Sequence, residues 1–332
     1  MKRTHARIVV IGGGTGGFTL LGALKKYCDN VTALVNMADD GGSTGQLRDE
    51  LGVLPPGDVR KSLVALSESP KVRDLFNYRF EEGSLQGHTF GNLFLTALEK
   101  MTGSFAEAVD TASEVLNIDG HVIPMTLDNV RLVITWPDGT KVQGEGNIDV
   151  MEFAEGKGRP DILLEPAARI NPEAEKAIID ADLIVLSAGD IYTSIGPSLA
   201  IQGVTEALAA TKAPIAYVCN LVTKPGQTNG FTVSDHVEEI ERLAGAQLID
   251  HVLYNTAMPP ADLANKYMKE GELMVEADTN LLQTAHFKAV GLPLLDEETA
   301  PQAKGDPLAA HRSLIRHNGD AIARAVLEAL AV

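Results

Sequence analysis

The sequence predicts an α/β protein: a doubly wound parallel sheet with an inserted antiparallel hairpin or subdomain. Three observations predict it. The apolar run Arg7–Ile11 passes through a glycine turn into a helical pattern and then into a second β-branched run, Val31–Val35. Strand, turn, helix and strand in that order open a doubly wound sheet. Buried strand patterns return in Asp182–Ser187, Ala213–Cys219 and Leu248–Tyr254, and helical periodicity separates the last two. Between these halves, Asp138–Gly139 interrupts the extended stretch Arg131–Val142, which is a hairpin signal.

Composition narrows the class. The chain has 332 residues, of which 45% are apolar and 31 are glycine. That supports a substantial core with many tight turns. One domain is expected across residues 1–332, with residues 126–162 as an inserted β subdomain and residues 296–310 as an exposed, acid- and proline-bearing insertion. The formal charge of −17 disfavours nucleic acid and anionic membrane surfaces, but leaves room for a small anionic ligand in a local field. No apolar stretch approaches a membrane span. The two cysteines, Cys28 and Cys219, lack zinc spacing and read as buried small hydrophobes. Together these features predict a cytoplasmic protein.

The first glycine turn carries Gly12, Gly13, Gly14, Thr15, Gly16 and Gly17, and Gly12, Gly14 and Gly17 satisfy the G-x-G-x-x-G spacing. Such a junction turns backbone N–H groups toward a phosphate, and glycine lets the ligand come close. Helical periodicity is expected over Phe18–Tyr27. The second strand exits into NMADDGGSTG, where Asp39 and Asp40 precede another flexible turn. Two acids there suit a ribose, a base, a divalent metal or a catalytic hydroxyl, and turn capping is the plainer alternative. A helix follows over Gln46–Leu51. After Pro55–Pro56, Gly57 or Asp58 begins another, with Arg60 near its first turn.

His88 and Asn92 open the apolar helix that runs toward Glu99. Both are costly to bury without partners, so they read either as caps or as groups facing a nucleotide. Farther on, the strand Asp182–Ser187 exits into a turn bearing Gly189, Asp190 and Tyr192. Its amides and hydroxyls suit an anion, and Tyr192 a base or sugar. Asn220 and Lys224 occupy the turn after Ala213–Cys219, a strand-exit position where ligands bind in open α/β sheets. Tyr267 ends a short helix. Arg316 is a cation near the C-terminus of an acidic chain, and its planar fork suits a diphosphate.

These blocks resemble the YvcK-like, gluconeogenesis-factor branch of the CofD-like superfamily. The resemblance rests on GGGTG at Gly12–Gly16, ADDGGSTGQLRDELGVLPPGDVR at Ala38–Arg60, GHTFGNLFLTAL at Gly87–Leu98, IYTSIGP at Ile191–Pro197 and YVCNLVTKPGQTNGFTVSDHV at Tyr217–Val237. It covers nearly the whole chain. It implies a Rossmann-like core with an insertion. It also implies a regulatory protein that binds UDP-N-acetylglucosamine or a related nucleotide diphosphate, linked to cell shape, envelope precursor supply and gluconeogenic growth. By resemblance the glycine loop, Asp39, Asp40 and Asn220 line the site, Tyr267 stacks on uracil and Arg316 binds phosphate. No cofactor is required in that reading, and a homo-oligomer and an unidentified regulatory protein are its further partners. The alternative is a Mg²⁺-dependent phospho-lactyl transferase with Asp39 and Asp40 as catalytic acids. One departure stands out: Ser187-Ala188-Gly189-Asp190 replaces the usual G-P-G-[DS] turn.

Overall fold

The computed structural model describes residues 3–154, 156–296 and 315–330. Its centre is a parallel sheet of seven strands in the order β10-β9-β8-β7-β1-β2-β3. The strands are β1 (Thr4–Ile11), β2 (Cys28–Val35), β3 (His121–Pro124), β7 (Leu183–Leu186), β8 (Ile215–Val218), β9 (His251–Asn255) and β10 (Lys288–Leu292). Strand β1 pairs in parallel with β2 on one side and β7 on the other. The strand order therefore reverses around β1, which creates the crevice that open α/β sheets use for ligands.

The residues of β1 show why the sheet is buried on both faces. Ile8 and Val10 enter one core with Leu20, Leu24 and Leu63. Val9 and Ile11 enter the opposite core with Leu34, Leu186 and Tyr217. Side chains alternate across a strand, so a continuous apolar run supplies both layers at once. Cys28 and Cys219 are free and buried, as small hydrophobes would be.

The small sheet has the order β5-β4-β6 and is antiparallel. It comprises β4 (Arg131–Thr135), β5 (Lys141–Gln143) and β6 (Asp161–Glu165). The Asp138–Gly139 turn joins β4 to β5; Gly139 has φ +84°, and the Trp136 amide donates to the Thr140 carbonyl at 2.9 Å. The third strand ends at Glu165, so the insertion runs past the expected boundary at residue 162. Trp136 and Phe153 pack edge to face at 5.2 Å, as do Phe153 and Tyr192 at 4.8 Å. This aromatic chain fastens the insertion to the main core.

Two helices begin earlier than their periodicity predicts. Helix α1 spans Gly14–Leu24 and helix α2 spans Gly42–Leu51. The glycines of both turns are inside the first helical turn because tertiary packing overrides their low propensity. Helix α3 spans Gly57–Leu66. The helix Gly319–Leu330 packs against α1. Residues 297–310 of the expected C-terminal insertion lie outside the described residues.

Candidate functional site

The exits of β1, β2, β7 and β8 open into one cleft of about 950 Å³. Helix α1 starts at its base with no cap bond from Gly13 and no acid in its own first turn. The Asp58 carboxylate accepts its Gly14 amide, so the positive end of its dipole already holds one anionic side chain. Gly13, Gly14, Thr15 and Gly16 line the cleft. A Cβ at Gly13 would lie 2.1 Å from Asp58 Oδ2, and one at Gly16 would lie 1.9 Å from the Ala188 carbonyl oxygen. These glycines are therefore close-packing requirements as well as a flexible turn. Gly12 sits behind them: its amide donates to the Leu34 carbonyl at 3.2 Å, and a Cβ there would strike Ser187 Oγ.

Carboxylates meet beside this loop. Asp39, Asp58, Glu145 and Asp149 line the cleft together with Lys61. Burial and then the Asp58 charge push Asp39 up to about 6. Burial also opposes ionisation of Asp58, but Lys61 at 2.8 Å and the Gly14 amide outweigh it and hold this carboxyl below the usual range. Glu145, on the inserted helix Glu145–Asp149, is pushed up to about 9 by burial and by the Asp39, Asp149, Asp58 and Asp40 charges. The sequence reading missed Asp58 and Glu145 as site residues. Asp58 looked like a helix start, and Glu145 lies more than a hundred residues from Asp39 in an unpatterned stretch.

Asp40 is a correction. Its carboxylate faces the insertion, where Arg131 Nη1 donates to it at 3.2 Å and the Gly146 amide at 2.9 Å. The acid that pairs with Asp39 across the cleft is Asp58. Among the described residues no three His, Cys, Asp or Glu side chains converge as a metal-binding group.

His88 is also displaced from the cleft wall. Its Nδ1 lies 2.9 Å from Ser43 Oγ, and Ser43 lines the cleft. Asn92 does line it; it donates to Ser43 Oγ at 3.2 Å and accepts from Arg60 Nε at 3.0 Å. Arg60 Nη1 also donates to Asn77 Oδ1 at 2.6 Å.

On the other wall, Gly189, Asp190, Asn220 and Lys224 come together. Lys224 Nζ lies 2.7 Å from Asp190 Oδ2 and also pairs with Asp149. Burial alone would lower its pKa, but the two carboxylates outweigh it and raise it. Gln227 Nε2 reaches the Ile148 carbonyl at 2.7 Å and the Met151 carbonyl at 3.2 Å. The turn after β8 thus holds the insertion against the cleft.

Tyr192 is the second clear correction. Its ring is 1% exposed and lies in the core with Ile191 and Ile195. Its hydroxyl donates to Glu239 Oε1 at 2.8 Å. The segment Ile191–Ile195 is a π-type turn, which rotates Tyr192 inward while Thr193 and Ser194 face the cleft. Tyr267 and Arg316 do reach the same cleft as the glycine loop. Tyr267 is packed with Leu221 and Ile315, and its hydroxyl accepts the Ile315 amide at 3.0 Å. Its most direct role in the structure is to seat the chain that carries Arg316.

The family described as 2-phospho-L-lactate transferase CofD matches residues 8–295. The chain is 39% identical to the gluconeogenesis factor of Listeria monocytogenes over 332 residues, covering 99% of this chain and 97% of that one. It is 37% identical to the gluconeogenesis factor of Halalkalibacterium halodurans over 331 residues, with 99% and 97% covered. A crystal structure of a UPF0052 family member from Bacillus halodurans superposes with a TM-score of 0.87 at 36% identity, covering 98% of this chain and 99% of that one.

Proposed function

Because the chain belongs to the CofD family, we propose that it binds UDP-N-acetylglucosamine in this cleft and acts as a regulatory sensor. The reading links it to envelope precursor supply, cell shape and gluconeogenic growth, in line with the gluconeogenesis-factor name its relatives carry. One observation supports it above the others: the glycine loop, Lys224, Tyr267 and Arg316 line a single cleft. The amides at the start of α1 beyond Gly14, which Asp58 occupies, suit a diphosphate. Arg316 supplies charge at the opposite wall, where Asp190 and Asp149 hold Lys224, and the polar groups between them suit a sugar. Its further partners are a second copy of the chain and an unidentified regulatory protein. No helix among the described residues is long and apolar enough to cross a membrane.

The test is substitution of Arg316 by Ala, followed by calorimetry with UDP-N-acetylglucosamine and with uridine. Selective loss of the diphosphate ligand supports the assignment. Equal binding of both ligands before and after substitution removes Arg316 from the site.

The Asp39–Asp58 pair favours a second reading, Mg²⁺-dependent transfer of a phospho-lactyl group from a nucleotide-diphosphate donor. Bound there, the cation would offset charge on the transferring phosphate. Asp39 would then hold or accept the acceptor alcohol's proton. Consumption of such a donor with a deazaflavin alcohol, dependent on Mg²⁺, separates this reading from the sensor.

A further inference from the structure

We infer that Ser43 is a nucleophile, with His88 as its base, toward a phosphorus ester or anhydride held at the Asn92 end of the cleft. Three distant segments meet there. Ser43 is the second residue of α2, His88 precedes the helix Phe90–Thr102, and Asn92 lies in that helix's first turn. Serine in a first helical turn usually bonds its own backbone. Here both partners of Ser43 Oγ are side chains, His88 Nδ1 at 2.9 Å and Asn92 Nδ2 at 3.2 Å. Gly41, the N-cap of α2, makes no side-chain cap bond, so the hydroxyl is not used to terminate the helix.

The network orients the amide. Arg60 Nε donates to Asn92 Oδ1 at 3.0 Å, so Nδ2 faces Ser43 and Ser43 accepts from it. That leaves the serine's own proton for His88 Nδ1, which accepts it when the imidazole carries its proton on Nε2. A hydroxyl that donates to an imidazole and opens onto a cleft has the arrangement of an activated serine. The backbone holds the base in place: the His88 amide donates to the Leu85 carbonyl at 3.0 Å, and the His88 carbonyl accepts the Phe80 amide at 2.9 Å.

The surroundings choose phosphorus as the electrophile. Arg60, which reaches Ser43 through Asn92, and Arg79 line the same cleft as Ser43 and the glycine loop, whereas Lys61 is paired with Asp58. The two arginines and the loop offset charge on a phosphoryl centre. The Oγ–P bond forms as the bond from phosphorus to its leaving oxygen breaks, and the serine proton moves to His88 Nδ1. The departing oxygen, in line with Oγ on the far side of phosphorus, leaves as an anion and takes its proton from solvent. Water then attacks the phosphoserine from that far side and loses a proton to solvent, while His88 Nδ1 returns its proton to Oγ as the P–Oγ bond breaks.

A fluorophosphonate probe tests this without a known substrate. The Oγ–P bond forms, the P–F bond breaks, fluoride leaves and His88 takes the proton. Intact mass and peptide mapping should show one adduct per chain, on Ser43, and none in Ser43→Ala. His88→Gln should slow labelling about 100-fold or more while the circular dichroism stays unchanged. No adduct on the unaltered chain, an adduct elsewhere, or equal labelling of His88→Gln would overturn the inference. Should His88→Gln not fold, Ser43→Cys decides. Its thiol should alkylate with iodoacetamide at least 10-fold faster in the native than in the denatured chain, and equal rates overturn the inference. Labelling does not depend on the UDP-N-acetylglucosamine reading, so either can fail alone.

Discussion

Asn220 holds the main chain of Gly189 from both sides: its Nδ2 donates to the Gly189 carbonyl at 3.0 Å and its Oδ1 accepts the Gly189 amide at 3.2 Å. The Tyr217 hydroxyl also donates to that Oδ1, at 3.3 Å. The side chain acts as a short strand partner, tying the exit of β8 to the exit of β7 at the cleft. Asn220 therefore shapes the turn that carries Asp190 as well as lining the cleft.

Asn220→Asp should consequently cost stability as well as binding. A carboxylate can accept the Gly189 amide but repels its carbonyl, leaving that acceptor unpaired. The expected loss is about 1–3 kcal/mol, read by denaturant unfolding. An unchanged midpoint would show that the paired amide contributes nothing to the turn.

The sheet was legible because β1, β7, β8 and β9 are short apolar runs bounded by turn residues, and their two-faced burial requires such runs. The glycine loop was legible because close approach leaves a compositional trace at Gly13 and Gly16. What stayed hidden depends on rotation and long-range contact. Tyr192 and Asp190 are two residues apart, yet the π-type turn sends one inward and leaves the other at the cleft. Asp39 and Asp40 are adjacent and equivalent in composition. Only the insertion, through Arg131 and Gly146, draws Asp40 away.

Gly16→Ala tests the close approach. The new Cβ would meet the Ala188 carbonyl oxygen at 1.9 Å, and backbone cannot swing aside as a flexible side chain can. A loss of about 1–3 kcal/mol is expected, with weaker nucleotide-sugar binding. Wild-type stability in denaturant would show that the loop has slack.

The acidic pair predicts a pH dependence of the ligand-free protein. Asp39 is raised to about 6 by burial and then by Asp58, so its contribution to stability is full below the ordinary carboxylate range and is lost as pH rises through about 6. Glu145, raised to about 9 by burial and neighbouring acids, has the same sign over a higher window. The contribution of these two acids should therefore weaken from pH 5 to pH 9, against the opposite trend of His236, His251 and His317, whose pKa values burial lowers. Asp39→Asn should melt about 2–4 °C above the unaltered chain at pH 8 and coincide with it near pH 4. A lower melting point at pH 8 would contradict this electrostatic account.

Glu239 predicts the strongest stability defect outside the cleft. It is fully buried and receives the Tyr192 hydroxyl at 2.8 Å, Arg159 at 3.1 Å and Arg242 at 2.8 Å. Glu239→Gln keeps the shape and removes the charge, leaving Arg159 with Glu238 and Arg242 with Asp161 at the solvent edge. The expected cost is about 1–3 kcal/mol, with the insertion becoming more accessible to protease. A change below 1 kcal/mol would show that solvent, not Glu239, compensates Arg159 and Arg242.

The central claim is that the cleft recognises a nucleotide sugar, and calorimetry of the full chain tests it most directly. UDP-N-acetylglucosamine should bind with measurable heat at one site per chain and more tightly than UDP, GDP or NAD. At 100 times its dissociation constant it should add about 2.7 kcal/mol of stability. No heat and no thermal stabilisation with UDP-N-acetylglucosamine would contradict the account.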